Sequence, residues 1–334
     1  MTRDTMVRGL VWALVSAAAY GFSGPLGAAF LEAGWSPGLT TLMRIAGAAL
    51  LLLPVMIVLL LRHPLDRTGT RKVVVFGVAA VAGVQLCFFQ ALQYLSVGVA
   101  LLLEFLAPVL LVGWTWLTTR RTPSAITLAG CLVALAGLVL VVDPFGPQRV
   151  ELVGIAWGLA SALCVCVYFL LPGGSGEGQI PPLLMISGGM LVGAVTLGTT
   201  SLLGITRVEV GEATGTLAGA ELHWMALLAM LVVLATALPY VTGVIAIRLL
   251  DTRVASFVGL SEVMFGVIAA WLLVAQAPSV IQFLGGGLIL GGIVLIRRAE
   301  NRAAATPSEV AAEAAGSQAS QENSGSPGRT SPDA

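Results

Sequence analysis

Charge is scarce in this 334-residue chain: Asp, Glu, Lys and Arg together make up 10% of it, against 57% hydrophobic residues. Lys72 is its one lysine, and histidine occurs twice, at His63 and His223. Basic and acidic residues balance at 17 each, so no basic surface for nucleic acid is expected. His63 lies outside the long apolar segments and His223 at the edge of one, and there is no HExxH motif, no paired-aspartate motif and no nucleotide-binding loop. These absences argue against a catalytic centre. The four cysteines, Cys87, Cys131, Cys164 and Cys166, fall inside apolar runs without disulfide or metal-ligand spacing. They read as small buried hydrophobes, and neither a metal nor a cofactor is expected.

What the chain has in abundance is apolar length, with a mean hydropathy of +0.95. Crossing about 30 Å of hydrocarbon takes about 20 helical residues. Ten segments qualify: 8–30, 38–61, 73–95, 97–118, 124–142, 152–171, 181–204, 222–247, 253–274 and 278–297. The sequence therefore predicts an all-α integral membrane fold of ten transmembrane helices. With the N-terminus inside, fourteen of the 17 basic residues fall in cytoplasmic loops and tails, only Arg149 and Arg207 fall outside, and Arg44 lies within a span. Basic residues in short loops stay on the cytoplasmic side, so both termini are expected there. The excess of arginine over lysine suggests a bacterial plasma membrane. Beyond residue 300 the chain turns to Ala, Ser, Glu, Gly and Pro, and 301–334 is expected to be a disordered cytoplasmic tail.

An internal repeat organises the spans. Gly9, Trp12, Leu14, Ser16 and Ala17 recur as Gly154, Trp157, Leu159, Ser161 and Ala162, an offset of 145. Val99, Ala100, Trp116, Pro123, Ser124, Gly130 and Gly137 recur at an offset of 155 as Val254, Ala255, Trp271, Pro278, Ser279, Gly285 and Gly292. Because the signal-like segment Met1–Ala19 recurs in the repeat, it is expected to be retained as part of span one and not cleaved. Each unit holds five spans, so the second copy enters the membrane from the opposite side. Two inverted five-helix repeats are predicted, at 1–147 and 148–300. This is a common architecture of secondary transporters.

The repeats, the Pro37, Leu39-Thr40-Thr41, Arg44 start of span two, the Leu103-Glu104-Phe105-Leu106-Ala107-Pro108 stretch, Ala255-Ser256 followed by Glu262, and the glycine-rich tenth span resemble the EamA-type branch of the drug/metabolite transporter superfamily. The Leu-Glu-Phe-Leu-x-Pro stretch looks most like threonine/homoserine exporters. The resemblance implies a ten-helix exporter of small metabolites over residues 8 to 298. The glutamates that family members commonly carry near the ends of spans four and nine are replaced here by Arg120-Arg121 and Gln276.

Charged groups within hydrocarbon are costly and are functional candidates by default. Arg44, Glu104 and Glu262 qualify. Under the repeat, Glu104 aligns with Gly259 and Glu262 with Ala107, which places the two carboxylates about one turn apart on a shared face. They are expected to bind a substrate ammonium group or to take up a proton. The competing reading pairs Glu104 with Arg44 as a structural tie. Gln90 and Gln93 of span three share a face and, with Tyr20, Ser23, Trp157, Tyr168 and Tyr240, are further candidates to contact solute. The Tyr20-Gly21-Phe22-Ser23-Gly24-Pro25 stretch resembles a serine nucleophile motif, but a base is lacking. Gly21, Gly24 and Pro25 are instead expected to form a hinge, matched by Pro172-Gly173-Gly174 in span six. The alternatives to transport are a receptor or scaffold and, with less support, an intramembrane hydrolase. The expected partners are a small-molecule substrate, the lipid bilayer and, optionally, a second copy of the chain.

Overall fold

The computed structural model describes residues 3–120, 122–142, 151–170, 180–250, 258, 261–296 and 298–299. The Pro172-Gly173-Gly174 break and the segment 301–334 lie outside them. Six helices are long and apolar enough to cross a membrane, and four shorter apolar helices lie at the positions of predicted spans five, six, nine and ten. The ten-helix architecture is that of a multi-pass membrane protein.

Proline accounts for the helix breaks. Span one divides into Arg3–Gly21 and Ser23–Glu32, because Pro25 has no amide for the carbonyl of Gly21. Span four divides into Val97–Glu104 and Ala107–Thr119, and there Pro108 leaves the carbonyl of Glu104 without its amide. Span two (Pro37–Arg62) and span seven (Pro182–Leu202) each start at a proline, where the missing amide costs nothing.

Spans three and eight share a rarer feature. Each contains a π-helical stretch, Phe76–Gly83 in span three and Met230–Ala237 in span eight, at repeat-equivalent positions to within one residue. Just beyond each of them lies a carbonyl reached by a shared serine of the repeat motif. The Ser16 hydroxyl donates to the carbonyl of Pro239 at 2.8 Å, and the Ser161 hydroxyl lies 3.1 Å from the carbonyl of Val84. Ser16 and Ser161 are equivalent at 145, and Val84 and Pro239 at 155. The same bond is therefore made twice, from span one to span eight and from span six to span three.

Other contacts exchange in the same way. A Cβ on Gly9 would lie 2.6 Å from Leu250 Cγ, and one on Gly154 would lie 2.8 Å from Leu95 Cγ. A Cβ on Gly47 would lie 2.7 Å from Val232, and one on Gly77 would lie 2.6 Å from Val192. Spans five (Ala125–Val142) and ten (Val280–Ile296) meet at Gly130 against Gly292 and at Gly137 against Gly285, where a Cβ would come within 2.7 and 2.5 Å of the opposing carbonyls. Small residues at such crossings let membrane helices approach closely. Replacing each residue by its repeat partner turns one contact into the other, which is the signature of a two-fold axis relating the halves. Even the turns agree: Arg120 and Ala275 are both left-handed, at φ 56 and 55. Beyond them Ser124 and Ser279 each accept from the backbone amide three residues on, at 3.2 Å.

Among the described residues the fold departs from the all-α expectation in one place. Strands β1 (Thr214–Leu217) and β2 (Ala220–His223) form an antiparallel hairpin between spans seven and eight, so span eight starts at Trp224 and not at 222. The alternation of exposed and buried residues in β1 is too short to stand out beside the long apolar runs. The hairpin also accounts for the change of repeat offset from 145 to 155, since it occupies ten residues that the first half lacks. Its approach segment is sewn to the turn between spans one and two. Ser36 N donates to Glu209 O at 3.0 Å, and Glu212 N to Ala33 O at 2.7 Å. Trp35 Nε1 donates to Glu212 O at 2.9 Å. At the tip, Ala218 N donates to Leu273 O at 2.7 Å, near the end of span nine.

Candidate functional site

Among the described residues Arg44 is the largest fully buried side chain, with 0% exposure. Span two carries it on a face with Thr40, Thr41 and Ile45 that is buried inside the bundle. Its guanidinium is held by four groups from three other spans. Nη1 donates to Ser23 Oγ and to Gln85 Oε1, both at 2.6 Å. Nε donates to Thr236 Oγ1 at 2.8 Å and Nη2 to Ala235 O at 3.0 Å. The Phe89 ring lies 5.7 Å from Cζ, a cation–π distance. Pro239, four residues after Ala235, removes the amide that would otherwise claim the Ala235 carbonyl. Thr236 passes its own proton to Leu231 O at 2.7 Å, so it accepts from Arg44 without conflict.

None of these partners is charged. No ion pair joins Arg44 to Glu104 among the described residues, so the structural tie between them is not what the side chains make. Glu104 instead lies 2.8 Å, through Oε2, from the Ser161 hydroxyl. Glu262 sits in the first turn of the helix Ser261–Val274 and has no hydrogen bond to a described residue. Arg44, Glu104 and Glu262 are nevertheless close enough for each to feel the others' charge. Tyr20 and Tyr240 complete the group, with ring centroids 5.3 Å apart in edge-on contact, and both tyrosines lie within the field of Arg44.

Of the candidates named from sequence, Arg44, Glu104, Glu262, Tyr20, Tyr240 and Ser23 converge. Gln90 does not join them: it is partly buried, and it is Gln85 that reaches Arg44. Gln93 is exposed. Trp157 packs against the main apolar core. The side chain of Tyr168 lies outside the described residues. Gly21 and Gly24 serve close packing at the break: a Cβ on Gly21 would lie 2.8 Å from Gly266 N, and one on Gly24 would collide with Val97. Spans one, four and nine therefore close on each other beside Glu262.

Three members of the cluster, Thr41, Gln85 and Thr236, are not evident from sequence patterns alone. Thr236 lies in an apolar run with no local motif, but Pro239 near it marks a freed carbonyl that a buried arginine can use. Thr41, three residues before Arg44, is fully buried and its hydroxyl has no partner among the described residues. Cys164 of span six lies against span three at Gly83, where an added Cβ would come within 2.9 Å of its Sγ.

The cluster breaks the repeat wherever it matters chemically. The partners of Arg44, Gln85, Glu104 and Glu262 in the other half are Gly189, Tyr240, Gly259 and Ala107. Residues the halves share build the scaffold, and the charged residues of the site are ones they do not share.

A two-fold scaffold of inverted helical repeats around one asymmetric buried charge cluster is the design of a membrane transporter. A family model described as the EamA-like transporter family matches residues 7–143 and again 152–298. The chain belongs to that family, within the drug/metabolite transporter superfamily. It is 26% identical over 274 residues to the threonine/homoserine exporter RhtA of Escherichia coli strain K12, a match spanning 80% of this chain and 84% of that protein. Over 109 residues it is 29% identical to YicL of Salmonella typhimurium strain LT2, named as an uncharacterized inner membrane transporter. That match spans 32% of this chain and 36% of that protein. A solved crystal structure with 22% identity and a TM-score of 0.50, matched over 84% of this chain and 96% of its own, shares the fold.

Proposed function

We propose that the protein is a secondary transporter of the bacterial inner membrane that exports an amino acid or a related small amine by alternating access, coupled to proton entry. The observation that carries this reading is the charge arithmetic of the buried cluster. Arg44 supplies one positive charge and is satisfied by neutral groups, while Glu104 and Glu262 supply two negative ones. A cluster with both carboxylates ionised holds one uncompensated negative charge, which is expensive in a low-dielectric interior. One bound cation removes it, whether a proton or a substrate ammonium group, and the two would compete. Such competition is what exchange transport requires. The unpartnered Thr41 hydroxyl, one turn from Arg44, is suited to receive a polar group of the same solute.

Basic residues in the loops favour cytoplasmic termini, which puts the hairpin end of the bundle outside. The inverted repeats supply two gates of similar construction, so one packing can close either side. The similarity to threonine/homoserine exporters favours amino-acid export, and nothing in the cluster calls for catalysis.

The test is the extracellular metabolite profile of cells expressing the chain, against Glu104→Gln and Glu262→Gln at matched membrane levels. One class of primary amine should accumulate outside with the wild type and fail to do so with either variant. Three profiles equal to the empty vector would refute export.

A further inference from the structure

Ser161 occupies a position that its repeat partner does not. Both serines reach the carbonyl at the end of a π-helical stretch, Ser16 that of Pro239 and Ser161 that of Val84. Only Ser161 also faces a carboxylate, with Glu104 Oε2 at 2.8 Å, because the residue equivalent to Glu104 in the second half is Gly259. Ser161 is 0% exposed. A hydroxyl has one proton to donate, and here two acceptors compete for it.

We propose that Ser161 is a positioning residue that couples the state of Glu104 to the π-helical stretch of span three. The inference rests on the reading of Glu104 as a group that alternately holds and releases a proton or ammonium ion. When Glu104 is ionised and free, it takes the Ser161 proton, because a bond to a charged acceptor is about twice as strong as one to a neutral carbonyl. The Val84 carbonyl is then left without that donor. When Glu104 carries a proton, the carboxyl donates to Ser161 Oγ, and the hydroxyl turns to Val84. The proton remains on the carboxyl group and no covalent bond other than its own O–H changes. A substrate ammonium group at Glu104 acts in the same direction by engaging the carboxylate. Span three is thus clamped to span six when the site is filled and released when it is empty, whereas the Ser16 clamp on span eight is permanent. The helix carrying Glu104 packs on spans that present Glu262, Cys87 and Cys164, and Arg44 acts on it from span two. These are the other titratable or charged groups that could impose a pH dependence.

The experiment uses the full chain in lipid bilayers with carbon-13 in the valine and proline carbonyls, read by solid-state NMR from acid to alkaline pH. In the wild type the Val84 carbonyl resonance is expected to move with pH while that of Pro239 stays fixed. In Ser161→Ala and in Glu104→Gln the Val84 movement should vanish. A Val84 resonance that ignores pH in the wild type, or one that still moves in Ser161→Ala, overturns the proposal. Transport in proteoliposomes gives the second readout. Ser161→Ala should change the ratio of acid to alkaline rates by roughly threefold or more, the scale of one hydrogen bond. Ser161→Thr should restore it, and Ser16→Ala should lower the rate evenly at all pH. Equal pH profiles for Ser161→Ala and Ser16→Ala would also overturn it. The NMR readout needs no transport, so a wild type that moves no solute refutes the proposed function and leaves the serine relay to be judged on Val84 alone.

Discussion

Arg44 Nη2 lies 3.0 Å from the carbonyl oxygen of Ala235, the one carbonyl in that turn of span eight that Pro239 frees from its helical amide. Two features that are unfavourable alone, an arginine in hydrocarbon and a proline within a membrane helix, are thereby joined into one favourable contact. The repeat shows that they go together: the equivalents of Arg44 and Pro239 are Gly189 and Val84, so the equivalent pair has neither the arginine nor the proline.

Arg44→Ala is therefore expected to destabilise the folded protein by about 3–5 kcal/mol, the usual cost of removing one member of a buried charged network. Gln85, Thr236 and the Ala235 carbonyl would each lose their donor. Arg44→Lys keeps the charge but cannot reproduce the planar fork, and should recover less than half of the loss. Thermal unfolding in nanodiscs measures both, and an Arg44→Ala protein as stable as the wild type would show that the hub is not a structural centre.

The glycine crossings of spans five and ten make a prediction about symmetry. Gly130→Val and Gly285→Val alter repeat-equivalent positions and should destabilise by similar amounts, as should Gly137→Val and Gly292→Val. Gly287, which has nothing within 4 Å of an added Cβ, is the control and should tolerate valine. The double variant Gly130→Val with Gly292→Val should fall short of the sum of its parts, because the two share one contact. Full additivity there would mean that the helices do not meet at these glycines.

The architecture was legible because membrane spanning imposes a length and an apolar alphabet, so ten segments stand out, and because matched tryptophans and Pro-Ser pairs survive in both halves. The convergence of Arg44, Glu104 and Glu262 was legible for a related reason: buried charge is costly enough to be rare and hence conspicuous. Neutral partners were not. Thr236 and Gln85 differ little in hydropathy from residues that merely join helices, so nothing in their local sequence marks them as partners of a buried arginine. Gln85 and Gln90 share the helix Val84–Ala91 but lie five residues apart, on different faces at 3.6 residues per turn, and Gln85 is the one that meets Arg44. The hairpin escaped because two four-residue strands carry almost no periodic signal, although the shift of repeat offset from 145 to 155 marked an insertion of its length.

Thr41 separates folding from function in a way that few buried polar residues allow. A buried hydroxyl without a partner costs roughly 1–3 kcal/mol, so Thr41→Val, nearly the same shape, should leave the protein equally stable or more so. If Thr41 receives a polar group of the solute, the same substitution should raise KM several-fold with little change in the maximal rate. Unfolding curves and concentration-dependent flux on one preparation decide the matter. A loss of stability without a change in KM would return Thr41 to the scaffold.

The hairpin makes the most direct test of gating. Its approach is fixed to Ala33, Trp35 and Ser36 at the junction of spans one and two by several hydrogen bonds, but its tip holds span nine by the bond from Ala218 N to Leu273 O. Span nine also bears Glu262, and it closes on span one where Gly21 meets Gly266. If this end of the bundle opens during transport, span nine must part from span one, and the bond at the hairpin tip must break while those at its base persist. A disulfide between Ala218→Cys and Val274→Cys should hold that end shut, abolish flux, and be reversed by a reductant. Each single-cysteine variant should stay active under the same oxidant. Val97, fully buried against Gly24, gives a readout free of flux: as Val97→Cys it should react with a membrane-impermeant thiol reagent in the unlocked protein and be protected in the locked one. Full flux through the cross-linked protein would show that span nine and the hairpin move as one body, and would shift the gate to the packing between spans one and four.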